Sequence, residues 1–294
     1  EHETDGDTEW RPPEIPGVPP AAVMLLEHTI DFAGLFPPAK QTMSEAVATY
    51  AKARAHPDAW MLERFVLKAT ELKAFEESAH PHLPRVEDEE PWPLSVLVRH
   101  DADGLAADVE ALEQFNDRHV DPSEGFAIAD VVEIKGDSPA SIEAALNHMP
   151  DEVFPFFELD WRGDIRGTLA TIVGGDAGVK LRTGGLAAED FPTLEATAKF
   201  LLDAASAEVP LKGTAGMHWP LRAPSDVVEG ATAHGFLNFL TAAAVAHLRD
   251  CDDSDLIPIL QASADDFEFS GTLVRVDDWE LEDFEIAEAR QRFV

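Results

Sequence analysis

Two lysines stand just ahead of glycine turns. The first run is Lys180-Leu181-Arg182-Thr183-Gly184-Gly185; about thirty residues on comes Lys212-Gly213-Thr214-Ala215-Gly216-Met217-His218-Trp219-Pro220. A lysine amine can form an imine with a carbonyl, and as an ammonium it can anchor an anion. Glycines beside it let backbone N–H groups approach a phosphate, carboxylate or oxyanion. One such turn is an ordinary loop; lysine before glycine on two consecutive segments is more specific. Alternation widens the set. Val179 and Leu181 share one parity and Lys180 and Arg182 the other; Lys212 and Thr214 oppose Val209 and Leu211. Glu133 and Lys135 alternate with Val132 and Ile134, and Glu158 and Asp160 with Phe157 and Leu159. If these are strands, the apolar set faces helices and the charged set projects into one shared interior. A buried unpaired charge costs several kcal/mol, so these groups must pair with each other, with water or with a ligand. A purely structural salt-bridge network is the competing reading. It is weakened because apolar replacements of such networks are often neutral or stabilising.

Other candidates join this set. His218 follows the Gly216 turn, where a site role and a surface loop are equally good readings. His234 opens an apolar helix, with Asn238 one turn later; that position suits an anion site or a plain cap. Arg64 shares parity with Val66 and Lys68 and would line the same interior, and Asp31 falls where a first strand meets its loop, Phe32 to Pro38. That loop reads as a lid, a partner surface or a core plug. Glu133, Glu158, Asp160 and His218 could also supply a Mg²⁺ or Mn²⁺ site, although nearby Lys and Arg oppose it. His80 and His82 lie in a Pro-rich break and read as loop. Cys251, the single cysteine, sits among Asp250, Asp252 and Asp253, which disfavours a thiolate nucleophile. No cofactor is called for.

The elements that must position these residues follow one rhythm. Short apolar strands alternate with amphipathic helices: Ser95–Val98 then 104–118, Ala129–Lys135 then 138–148, Val153–Trp161 then 164–173, 177–183 then 192–207, 209–214 then 233–248. Two earlier units are 24–32 with 44–54, and 59–67 with 70–79. Strand–helix–strand at this spacing means right-handed βαβ units and a parallel sheet. Seven units nearly make an α/β (β/α)8 barrel, whose active site lies at the C-terminal ends of the strands. Phe267–Val276 is the candidate eighth strand, and 282–292 a final helix. An open doubly wound parallel sheet is the alternative. Residues 1–20 read as an acidic, Pro-rich arm, and 21–294 as one barrel domain.

The chain has 294 residues, with 57 acidic and 22 basic, a net charge of −35. Such a surface repels phosphate backbones and anionic lipid, so nucleic acid and membrane are not the expected partners; a small anionic metabolite is, with homo-oligomerisation open. Arg outnumbers Lys 14 to 8, which with abundant Asp and Glu leaves salt adaptation open. No apolar run approaches the ~18 residues of a membrane span, and residues 1–7 carry no basic segment of a secretory leader. Cytoplasm is the expected compartment.

The run Lys180 to Gly185, followed by Lys212-Gly213-Thr214-Ala215-Gly216, resembles the paired lysine strands of deoxyribose-phosphate aldolases, class I Schiff-base barrel enzymes. The likeness covers about a tenth of the chain. It implies that Lys180 forms the imine and that Lys212, on the next strand, sits beside it. A neighbouring cation and partial burial both depress a lysine pKa, which suits a nucleophile. The chain departs from the family at Arg182, where a small polar residue is expected, and at His218-Trp219. The same strands are similar to an uncharacterised bacterial group with Lys-Leu-Arg-x-Gly-Gly and Lys-x-Thr-Ala-Gly-x-His-x-Pro motifs. The expectation is an aldolase-like lyase acting on a small anionic carbonyl metabolite through a lysine imine or stabilised carbanion. Asp160 or Glu158 would transfer protons, and Arg182 with the Gly184, Gly185 and Gly216 turns would hold the anion. A metal-dependent barrel enzyme and a non-catalytic interaction protein are the alternatives.

Overall fold

A computed structural model describes residues 13–86 and 89–292. Residues 1–12 of the expected arm, and Glu87 and Asp88 of the Pro-rich break, lie outside it. Seven parallel strands form one sheet: β1 (Ile30–Phe32), β2 (Leu62–Lys68), β3 (Trp92–Leu97), β4 (Ala127–Lys135), β5 (Phe154–Glu158), β6 (Gly178–Arg182) and β7 (Leu211–Thr214). Each strand pairs with its neighbours in the chain, in the order β1 to β7. The helices are α1 (Pro20–Leu26), α2 (Met43–Arg54), α3 (Leu72–Ala79), α4 (Ala102–His119), α5 (Pro139–Leu146), α6 (Arg166–Ile172), α7 (Leu194–Ser206), α8 (Phe236–Leu248), α9 (Asp253–Gln261) and α10 (Asp283–Arg290). The sheet is curled, because Lys212 on β7 bonds Asp31 on β1, at the two ends of the strand order.

Local chemistry accounts for the units the sequence announces. Thr42 closes a capping box with Glu45 at the start of α2, and Ser138 caps α5 with Pro139 in its first turn. The outward face of the sheet is apolar: Leu94, Val96, Val132, Ile134, Phe157, Val179 and Leu181 are all buried in one continuous core beneath the helices.

Three expectations change. Residues 24–32 are not one strand: Pro20 opens α1, which buries Val23, Met24 and Leu25, and only Ile30–Phe32 pair with β2. A short apolar run suits helix or strand equally, and here a proline in the first helical turn decides it. Phe267–Val276 is not an eighth parallel strand. It divides into β10 (Phe267–Phe269) and β11 (Leu273–Val276), which join β12 (Trp279–Glu282) in an antiparallel sheet of their own. The Ser270-Gly271 turn and Asp277, at φ +53°, reverse the chain after three or four residues, too soon for a parallel crossover. A two-stranded ladder, β8 (Ala223–Pro224) with β9 (Thr232–Ala233), shapes the loop after β7. Among the described residues no strand pairs β7 to β1. Helix α8, buried from Leu237 to Ala246, contacts α1 and sets Phe239 against Gly213 of β7.

No helix among the described residues is long and apolar enough to cross a membrane.

Candidate functional site

Inward-facing residues at the C-terminal ends of the strands meet in a cavity of about 570 Å³. Its floor is ionic. Glu133 on β4 lies between the two lysines: Lys180 Nζ is 2.8 Å from one of its oxygens and Lys212 Nζ 3.1 Å from the other. Lys180 also reaches Glu158 on β5 at 2.7 Å, and Lys212 pairs with Asp31 on β1. Ser95 on β3 donates its hydroxyl to Glu133 at 2.7 Å and accepts from Lys212 at 3.3 Å. Both lysines and Glu133 are 4% exposed, and Ser95 is fully buried. Register builds this contact: Lys135, Glu158, Lys180 and Lys212 are successive partners across β4, β5, β6 and β7.

The two ammoniums differ in what is left over. Lysine has three N–H donors. Lys212 hydrogen-bonds Asp31 and Ser95 and ion-pairs with Glu133, three polar partners; Lys180 hydrogen-bonds Glu133 and ion-pairs with Glu158, two. Burial works against a charged Lys212, but the carboxylates of Asp31 and Glu133 outweigh it and hold its pKa above the ordinary lysine value. The carboxylates thus dominate the surroundings of Lys212, the cation that the sequence reading sets beside Lys180. Burial would raise the Glu133 carboxyl, yet Lys212, Lys180 and the hydroxyl of Ser95 hold it well below the usual carboxylate range. Three carboxylates against two ammoniums leave the floor with one formal negative charge.

Above the floor, Arg182 and Lys135 line the cavity as exposed side chains, and among the described residues neither has an ion-pair partner. Gly185, Gly216 and His218 also line it. His218 pairs with Asp226 at 3.0 Å. The loop after β1 is split: Phe32 packs on Tyr50 and Phe65, while Phe36, Pro37 and Pro38 form part of the cavity wall.

Five proposed residues lie elsewhere. Asp160 is exposed, does not line the cavity and pairs with Arg162. Gly184 is buried against Gly216: a Cβ on Gly184 would come within 2.8 Å of the Gly216 Cα. The two glycine turns thus pack backbone to backbone, and Gly216, at φ +77°, adopts a conformation that favours glycine. His234 is buried between helices, its Nε2 3.1 Å from Thr197 Oγ1 and 3.0 Å from the Pro192 carbonyl; burial lowers its pKa. Asn238 ties loop to helix, accepting from the Arg222 N–H and donating to the carbonyls of Ile259 and Ala262. Arg64 is inward but outside the cavity, held by Asp130 through two bonds of 3.0 and 2.7 Å. Among the described residues no three His, Cys, Asp or Glu side chains converge to hold a metal. The Lys180 ammonium already occupies the space between Glu133 and Glu158.

Ser95 was not among the sequence candidates. Its signal was available: it alternates with Leu94 and Val96, both fully buried in the core. Comparison with family models, with curated proteins and with solved structures finds no match.

Proposed function

We propose that this protein is an aldolase-like lyase acting on an anionic carbonyl metabolite, with Lys180 as the imine-forming residue. The observation that carries the reading is the shared carboxylate: two buried lysines from adjacent strands meet on Glu133 at the floor of an open cavity. Lys212, with three polar partners to the two of Lys180, is held charged, which suits a fixed cation beside the reacting group. Lys180 keeps one N–H direction open and has Glu158, half-buried on the cavity wall, to take its proton.

In this reading Lys180 passes one proton to Glu158, and the freed lone pair attacks the substrate carbonyl carbon. Loss of the carbonyl oxygen as water leaves an iminium. Cleavage of the adjacent carbon–carbon bond sends its electron pair into that iminium, giving an enamine, while a carboxylate takes the hydroxyl proton of the departing aldehyde. Protonation and hydrolysis return free Lys180. Arg182 and Lys135 hold the substrate anion. The same reading takes the curled sheet as a relative of the (β/α)8 barrel in which α8 stands where an eighth strand would close it.

The test is borohydride reduction in the presence of short carboxylated and phosphorylated aldehydes and ketones. Mass should be added at Lys180; a Lys180→Ala variant that traps the same carbonyl equally well would remove the assignment. A metal-dependent reading has no converging ligand set among the described residues to favour it. A non-catalytic scaffold fits the internal pairing of the floor, but not the open cavity above it.

A further inference from the structure

The cavity is two-sided in character, and that bears on the class of substrate. Its floor is ionic, and its cations above the floor are Arg182, Lys135 and Arg99, the last paired with Asp108, but most of its wall is apolar. Phe36, Phe191, Met217, Val227 and Phe236 line it while only half-buried, and Leu186 lines it while 65% exposed. They come from four places in the chain: the loop after β1, the loop after β6, the loop after β7 and the start of α8. A cavity built only for a polyhydroxylated phosphate would need polar partners along these walls, since each buried hydroxyl left unpaired costs binding energy. These side chains offer such partners almost nothing. At about 570 Å³ the space is also that of a drug-sized ligand pocket.

We infer that the site takes an amphipathic substrate, an anionic carbonyl compound carrying an alkyl or aryl body, rather than a small sugar phosphate. The carbonyl part of this inference rests on the lysine-imine reading; the amphipathic part does not. The anion meets Arg182 and Lys135, the carbonyl meets Lys180, and the apolar body lies against Phe36, Phe191, Phe236 and Leu186.

Two ligand series separate the parts. The first is straight-chain 2-oxo acids of increasing length, trapped with borohydride on the full chain at limiting concentration. The second is saturated alkyl carboxylates and alkyl phosphates of the same lengths, which cannot form an imine, titrated by calorimetry. In both, binding should tighten about two- to fourfold per added methylene until the wall is covered. The better head group in the second series identifies the anion. Affinity that is flat or falls with chain length in the second series overturns the amphipathic substrate, whatever is trapped. Rising affinity there with no trapping in the first leaves the amphipathic site standing and removes the imine. A Leu186→Asp variant, altered where the side chain is largely exposed and folding is little affected, should flatten the chain-length dependence. Val173→Asp, an exposed change remote from the cavity, should not; equal loss in both would mean adsorption to the surface rather than a site.

Discussion

The inward face of the sheet carries two ionic clusters, and they are built differently. Around Arg64, one guanidinium is clamped by both oxygens of Asp130 and lies 3.0 Å from Glu63, which also receives His28 at 2.9 Å. The planar fork of arginine matches a carboxylate in two bonds, and none of Arg64, Asp130, Glu63 or His28 lines the cavity. Around Glu133 the cations are lysines, point charges with rotatable donors, and cavity space lies over them. Asp31 joins the two: one oxygen accepts the Arg64 backbone N–H at 3.0 Å and the other takes Lys212. Pairing alone therefore does not separate structural charge from chemical charge. What separates them is whether a cation that can lose its proton borders open space.

The sharpest break of this comparison is chemical. Lys180→Ala should lose carbonyl trapping by ~10³-fold or more, whereas Arg64→Ala should leave it within about twofold, read by mass spectrometry after reduction. Equal losses would mean that both clusters merely hold the sheet. Stability should not separate them. Removing one partner of a buried pair leaves the other charge stranded, so Glu133→Ala and Arg64→Ala should each lose ~3–5 kcal/mol in urea unfolding.

Acid sharpens the contrast further. Glu133 is depressed in the folded chain from 4.5, so its contribution is present above that value and is lost as pH falls below it toward the folded value. Glu133→Gln should flatten this acid limb in unfolding experiments between about pH 5 and 2. At the other limit Lys212 is raised above 10.5, and burial pushes Tyr50 up to about 12. Both contributions are complete below the unfolded values and fade as pH climbs beyond about 10. Smaller still, Gly216→Ala should cost ~1–2 kcal/mol, because a Cβ at φ +77° is strained and would lie 3.0 Å from the Gly184 Cα. Arg182→Ala, in an exposed position, should change stability by less than ~0.5 kcal/mol while weakening anion binding about tenfold or more. A stability loss there would place Arg182 with Arg64 rather than with the cavity.

Much of the floor was legible because β4 to β7 keep strict alternation. With Val132, Ile134, Phe157, Val179 and Leu181 outward, Glu133, Glu158, Lys180 and Lys212 had to face one another. The rule fails at β4 itself, lower down. Asp130 has the parity of Val132, so alternation turns it outward, yet it binds inward-facing Arg64. A bulge in the β3–β4 pairing sets Leu94 opposite Ala129 but Ser95 opposite Val131, and Asp130 is the extra residue. His234, Asn238 and Gly184 share a different error. Their types suit a site, but each satisfies packing between segments far apart in the chain, and nothing local distinguishes the two uses.

The strand–helix rhythm from β2 to β7, and the side of the sheet on which Glu133, Glu158, Lys180 and Lys212 lie, follow from the sequence alone, since both depend on periodicities of two and 3.6 residues that the chain carries locally. Which charges meet, which nitrogen keeps an open direction and which aromatic residues wall the cavity are settled only in three dimensions. Those outcomes rest on register between strands, on a single bulge, and on loops brought together across 180 residues between Asp31 and Lys212.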